Sequence, residues 1–320
     1  MDLSALKIRP DLVKRYTQEG YWVETTSNEG LEEAARKFPG KVALVDARRR
    51  ITYAQYYREA QRLAAHWVSL GLTENDVIGI QLPNWSEFAI AVNSAMLVGI
   101  PFCQFHADFR SKEVELVLGF TDAAAVIIAR EFHGFDYVAM IRALRPRLPN
   151  LKHIFVVGDD VPADLFDLRK FLAADDGAPL PEHELRRRRP HGNDFARVAF
   201  TSGTTGDPKA VVHTHNTTNS ALTFLNRDHA VTEDSAFLLF LPVGLNWGLF
   251  QTLQAIPAGC KLVYMEAFKP AEALRLIERE RITHFSTAPA GLIAMMNAPD
   301  FKKYDLSSLR VYVVGGASCP

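Results

Sequence analysis

Val198-Ala199-Phe200-Thr201-Ser202-Gly203-Thr204-Thr205-Gly206-Asp207-Pro208-Lys209 passes from an apolar run of strand character into a turn with two glycines, four hydroxyls and a lysine. Gly203 and Gly206 can take positive φ and let the main chain approach a ligand closely. Successive N–H groups in such a turn form an anion-binding concavity. The hydroxyls of Thr201, Ser202, Thr204 and Thr205 add donors, and Lys209 adds a full positive charge. This composition suits a polyphosphate, but it also suits a plain surface loop, because Gly, Ser, Thr, Asp and Pro are ordinary loop residues. The common NTPase loop is excluded by spacing: it needs more residues between its glycines and a lysine directly after the second, followed by Ser or Thr. Here Ala210 follows the lysine. No GxGxxG pattern occurs in this stretch.

Around this segment, short β-branched runs alternate with helical patterns, the mark of mainly parallel sheets layered with helices in an α/β fold. The runs expected as strands are Val77–Leu82, Ala124–Ile128, Ile154–Val157, Val198–Phe200, Phe237–Leu241, Lys261–Tyr264, Thr283–Ser286 and Val311–Val314. In Gln55–Leu70, Tyr56, Ala60, Leu63, Ala64 and Trp67 share one helical face and Gly71 supplies the stop. Asn84 and Glu87 read as a capping box that starts a helix over Trp85–Leu97, with Gly99 and Pro101 ending it. Ala173–Asn193 carries Gly177, Pro179, Pro181, Pro190 and Gly192 around Arg186–Arg189. It reads as a linker, placed at 181–193, between a first α/β module over 1–180 and a second over 194–320. The arginine run is expected to be solvated charge.

The chain has 320 residues, 36 basic against 37 acidic, and a net charge of −1, without the basic excess of a protein that grips nucleic acid by its phosphates. Its 48% hydrophobic and 23% charged residues are ordinary for a globular protein. The most membrane-like stretch, Phe88–Phe102, is too short to span and holds Asn93, Ser94 and Gly99. The amino terminus lacks the apolar core of a secretory signal. Cys103, Cys260 and Cys319 are few, odd in number and far apart, which fits unreactive thiols in a reducing, cytoplasmic setting. His213 and His215 would make a metal pair only with a third ligand, and the sequence offers none, so no metal site is expected.

The ordered run Ser202–Lys209, followed by Val211, Val212, His213 and His215, resembles the phosphate loop of the adenylate-forming superfamily of acyl-CoA synthetases, peptide-synthetase adenylation domains and luciferases. Ile51-Thr52-Tyr53, Leu82-Pro83-Asn84 with Glu87-Phe88, Leu241-Pro242 through Trp247-Gly248, and Val313-Val314-Gly315-Gly316-Ala317 resemble its other motifs. The likeness runs from about Gly30 to the end. Phe102–Ile128, Gly134–Tyr137 and Leu148–Val157 look most like the 2,3-dihydroxybenzoate–AMP ligases and related small-acid enzymes. The resemblance implies an acid–thiol ligase that joins a carboxylic acid to AMP from ATP, with Mg2+, and passes the acyl group to coenzyme A or to a carrier pantetheine. It implies that Thr201, Ser202, Gly203, Thr204, Thr205, Gly206 and Lys209 bind ATP, with Lys209 and Thr204 as the catalytic candidates. It places Asn246, Trp247, Gly315, Gly316 and Ala317 at the acid. In the dihydroxybenzoate enzymes a His precedes the asparagine and a small hydroxyl residue lies further on. Here Leu245 and Gln251 stand at those places, which leaves the acid open; Asn246 also reads as a plain turn residue, and Trp247 as an aromatic that fills core. The family's aromatic-Gly-x-Thr-Glu motif, its ribose-binding aspartate and its lysine-bearing small domain would follow Pro320. This chain is therefore expected to be the incomplete front part, inactive alone; a nucleotide-binding module without turnover is the alternative.

Overall fold

A computed structural model describes residues 8–23, 26–173, 180–201 and 209–318. In chain order the strands are β1 (Val42–Val45), β2 (Arg50–Thr52), β3 (Ile78–Gln81), β4 (Phe102–Gln104), β5 (Ala125–Ala129), β6 (Glu131–Phe132), β7 (Phe135–Asp136) and β8 (His153–Val157). They continue with β9 (Phe166–Asp167), β10 (Phe195–Thr201), β11 (Lys209–Thr214), β12 (Ala236–Leu239), β13 (Lys261–Tyr264), β14 (His284–Thr287) and β15 (Val311–Val314). The helices are α1 (Pro10–Gln18), α2 (Ser27–Lys37), α3 (Tyr53–Ser69), α4 (Ser86–Leu97), α5 (Ser111–Thr121) and α6 (Tyr137–Leu144). After them come α7 (Leu168–Ala173), α8 (Glu182–Arg188), α9 (His215–Asp228), α10 (Asn246–Ala255), α11 (Pro270–Glu280) and α12 (Pro289–Met296).

Two sheets carry the fold. One has the order β15-β14-β12-β13-β1-β2, the other β11-β10-β4-β3-β5-β8-β9, and β6 and β7 form a separate hairpin. Within the two large sheets, pairing is parallel except for β2 on β1 and β11 on β10. Alternation along the strands shows how the layers stack. Leu44, Phe237, Leu239 and Leu262 join the large core shared with α3, α4 and α10, while Val45, Leu238 and Val263 turn the other way to α11. The result is a mixed α/β stack of helix, sheet, helix, sheet, helix. Strands buried on both faces must be apolar throughout, so they appear in the sequence as continuous runs.

The eight expected strands are all present, with ends shifted by a few residues. The helix expected at Gln55–Leu70 is α3, with Tyr56, Ala60, Leu63, Ala64 and Trp67 buried. It starts earlier because Thr52 and Gln55 form its capping box. The membrane-like stretch overlaps α4, whose residues are all buried in the central layer. Asn93 there donates to the Tyr56 hydroxyl at 2.7 Å, and Ser94 to the Ile90 carbonyl at 2.6 Å. No helix among the described residues is long and apolar enough to cross a membrane.

Two expectations need correction. The division into modules 1–180 and 194–320 does not describe the sheets: β1 and β2 lie beside β13, and β10 lies beside β4. Strand partners come from both sides of the supposed linker because each sheet is completed by later chain. Within that stretch α8 forms, with Arg186 paired to Glu182 and Arg187 to Glu184, both at 2.8 Å; Arg189, just after it, pairs with Glu32 at 2.8 Å. Second, Asn84 and Glu87 do not cap α4, which has no cap from its own N-cap residue. The carboxylate of Asp46 accepts from the Ser86 N–H at 2.9 Å instead, reaching over from the other sheet.

Candidate functional site

The carboxyl ends of the parallel strands of both sheets meet along one seam, the place where open α/β sheets hold ligands. Asn84, just past β3 and buried, fastens the seam. Its Nδ2 donates to the carbonyls of Leu241 at 3.1 Å and Met265 at 3.0 Å, and its Oδ1 accepts from the Val243 N–H at 3.0 Å. Both of its donors and its carbonyl oxygen thus face backbone at the ends of β12 and β13. Gly244 lies so close to β4 that a Cβ there would meet the Phe105 carbonyl oxygen at 2.3 Å. A Cβ on Gly248 would meet the Pro242 carbonyl oxygen at 2.2 Å, so only glycine lets the first turn of α10 fold back onto the turn before it. Asp46 belongs to the same fastening. Burial works against its charge, but N–H donors from Ser86 and Arg48 hold its carboxyl below the usual range.

This fastening sets the amino end of α10, which carries Asn246 and Trp247. Trp247 lies against the turn after β15: a Cβ on Gly315 would stand 3.2 Å from the indole and one on Gly316 3.8 Å. Gly316 has φ +81°, a left-handed conformation that favours glycine. The Gly315 N–H donates to the Thr287 carbonyl at 3.1 Å, which fixes the turn on β14. The structure thus brings Trp247, Gly315 and Gly316 together, with Ala317 exposed after them and Asn246 exposed beside the indole. Behind them Gln251 is buried; it donates to the Ser286 hydroxyl at 3.0 Å, and its Oε1 has no partner.

Thr201 ends β10 and Lys209 begins β11, and the two are cross-strand partners. Ser202, Gly203, Thr204, Thr205 and Gly206 lie outside the described residues. Because β10 runs parallel to β4 and β3, its carboxyl end points the same way as the seam. His213 stands opposite Arg197 in β11, and His215 opens α9. Burial first, and Arg197 second, bring His213 down to about 4. Burial brings His215 to about 4 against the pull of Asp194. Both rings are therefore neutral near pH 7, and among the described residues no three metal-ligating side chains of the His, Cys, Asp or Glu type gather. Cys103 and Cys260 are buried free thiols; Cys319 lies outside the described residues.

A cavity of about 320 Å³ opens in the seam among Asn84, His106, Phe132, Pro242 and Glu266. A larger one, about 740 Å³, lies at the opposite, amino ends of the strands among Val98, Gly99, Phe195 and Arg187–Arg189. The strand-end rule and the clustered glycines favour the seam. Sequence reasoning missed Asn84 as a fastener and missed Arg197. The latter had a visible signal, a charged residue inside the apolar strand Phe195–Phe200.

The model of the AMP-binding enzyme family matches residues 31–320. The chain is 31% identical to a 2-hydroxy-7-methoxy-5-methyl-1-naphthoate–CoA ligase of Streptomyces carzinostaticus, over 96% of this chain and 56% of that protein. It is 29% identical to the 2,3-dihydroxybenzoate-AMP ligase of Bacillus subtilis (strain 168), over 96% of this chain and 55% of that one. The apo structure of Mycobacterium smegmatis MbtA superposes with a TM-score of 0.85 at 27% identity, covering 98% of this chain and 56% of that one. The chain thus spans about half the length of these relatives. With that match over most of its length and the same layered architecture, the chain belongs to the AMP-binding enzyme family, the adenylate-forming acid ligases that include aryl acid–AMP ligases and CoA ligases.

Proposed function

We propose that the protein activates a small aromatic or alicyclic carboxylic acid as its acyl-adenylate and then transfers the acyl group to coenzyme A. What supports this reading is Trp247 packed against the Gly315–Gly316 turn at the carboxyl ends of the strands, beside the exposed Asn246 and Ala317. A partly exposed indole next to an exposed glycine turn leaves apolar surface on which a flat ring can lie. The names of the relatives, one a CoA ligase of a naphthoate and one an AMP ligase of a dihydroxybenzoate, support an aryl acid.

A substrate carboxylate oxygen attacks the α-phosphorus of ATP, the bond to the bridging oxygen breaks, and pyrophosphate leaves with its electron pair. The amides and hydroxyls of Thr201–Gly206, with Thr204 central, would hold the β- and γ-phosphates, and Lys209 would offset the charge on the leaving group. That is positioning and charge stabilisation, the main resource of phosphoryl chemistry. Magnesium would accompany the triphosphate as its counter-ion, and the described residues supply no cluster for it. Asn246 would read a ring hydroxyl or amino group, and Ala317 would border the ring.

The test is ATP–pyrophosphate exchange with a panel of aryl, alicyclic and fatty acids, using protein that includes this chain. Lys209→Ala and Gly203→Val should each reduce exchange while circular dichroism stays unchanged. Exchange at the wild-type rate in both would remove the loop from the mechanism. Asn246→Leu should lower kcat/KM for hydroxylated ring acids and spare unsubstituted ones, whereas an equal loss on all acids assigns Asn246 to the fold. Thiol capture with coenzyme A against a pantetheinylated carrier protein separates the two acceptors.

A further inference from the structure

Arg197 lies in β10 on the sheet face turned toward α10. It is 1% exposed, and Nε, Nη1 and Nη2 all lack a hydrogen-bond partner. Its guanidinium carbon stands 5.3 Å from the centroid of the Phe250 ring in α10. A cation–π contact recovers only part of the cost of taking a guanidinium out of water, and buried charges are otherwise paired. Among the described residues no carboxylate acts on it. Cys103 is the charge partner that acts on Arg197, and burial pushes that thiol far up, so it stays protonated. The neighbouring His213, brought down to about 4, is neutral near pH 7.

Two further buried acceptors lie in the same region. Gln104 is two residues along β4 from Phe102, the strand partner of Arg197, and so shares its sheet face; its Oε1 has no partner. Gln251 adjoins Phe250 and likewise has an orphaned Oε1. Trp247, Phe250 and Gln251 are spaced i, i+3 and i+4, so they form one stripe along α10. Arg197 precedes Thr201, where the phosphate loop begins, by roughly 13 Å of strand. The uncompensated guanidinium therefore lies under α10, one helical turn from Trp247 and set back from the start of the phosphate loop, on the side away from the reacting carboxylate of an acid held at Trp247.

We propose that Arg197 is a specificity-determining residue that pairs with a second acidic group at the far end of the substrate, so that the preferred acids are dianionic. The proposal rests on the acid-activating function proposed for this site. A guanidinium presents a planar fork suited to a carboxylate, which a lysine ammonium does not.

The probes are terephthalate, isophthalate and adipate, with benzoate, chloride and inorganic phosphate as controls, measured by calorimetric titration and thermal unfolding. At least one dianionic acid should bind wild type about tenfold or more tightly than benzoate. Arg197→Met should abolish that preference and leave benzoate binding within about twofold. Arg197→Lys should keep only a small part of the preference. Without ligand, Arg197→Met should melt higher than wild type, because an unpaired buried charge is gone. The proposal is overturned if no dianion is preferred, if the preference survives in Arg197→Met, or if chloride or phosphate protects as well as the dianionic acids. It is equally overturned if Arg197→Met melts well below wild type, which would mean the guanidinium fastens the core. Dianion binding without pyrophosphate exchange on any acid would defeat the activation reading alone; exchange on monoacids without dianion preference would defeat this one alone.

Discussion

Glu280 and Arg197 are both charged side chains shut away from water, and the molecule treats them in opposite ways. Glu280, 5% exposed at the end of α11, meets Arg50 at 2.7 Å, Lys261 at 3.0 Å and Arg279 at 3.4 Å. Burial pushes its carboxyl up, but bonds from Arg50 and Lys261 outweigh that and bring it to about 2. Glu87 is handled alike: its side chain is 1% exposed, with Arg48 at 2.7 Å and Arg169 at 3.3 Å. Arg197 has no such company. Carboxylates that fasten distant parts of the chain are surrounded with cations; the guanidinium under the helix that carries Trp247 is left wanting. The difference separates charges that belong to the fold from one that waits on a ligand.

The comparison can be broken at several points. Glu87→Ala removes the buried partner of Arg48 and Arg169, which keep Asp46 at 3.9 Å and Asp159 at 3.2 Å, and should cost about 2–3 kcal/mol in urea unfolding; a loss below about 1 kcal/mol would show that the buried carboxylates are not fastenings at all. Asn84→Leu removes a neutral fastening of the same seam and leaves backbone groups unpaired, which should cost about 1–3 kcal/mol. If it matches Glu87→Ala, charge is not what distinguishes the two kinds of joint.

The Glu280 effect has a pH signature. A carboxyl with an ordinary value near 4.5 when unfolded and about 2 when folded stabilises the protein fully above about 4.5. That contribution falls away as pH drops from there toward 2. Wild type should therefore exceed Glu280→Gln in stability at pH 7, and the gap should narrow through that window. A gap that is constant with pH would show that the side chain acts by packing. The smallest effect is expected at Arg186→Ala, since its pair with Glu182 on α8 is exposed: within about 0.5 kcal/mol.

Much of this was legible in the sequence where local physics decides. Lys261–Tyr264 and Val311–Val314 are strands over the stretches their apolar runs mark, and the buried face of α3 follows from helical spacing. What was hidden depends on distant partners. β1 and β2 are short segments flanked by charge, stabilised by β13 and by each other, and nothing nearby reveals the pairing. β11 was concealed because it follows a turn rich in polar residues and pairs antiparallel in a largely parallel sheet. Asn84 looked like a cap because Glu87 lies at capping distance, yet both side chains face other elements. The residues proposed for the acid were named through resemblance, and the structure adds that Trp247 lies against Gly315 and Gly316.

Each sheet is stitched from early and late chain, and that has a consequence for synthesis on the ribosome. Arg50 and Glu280 are 230 residues apart, and β1 has no parallel partner until β13 emerges. At roughly 5–20 residues per second, the edge of β1 that takes β13 waits roughly 10–45 s unpaired. In that interval the nascent amino-terminal part, rather than the finished fold, is the form most exposed to misassociation through that open strand edge. A chaperone that binds Val42–Val45 during translation would act at the point of greatest need.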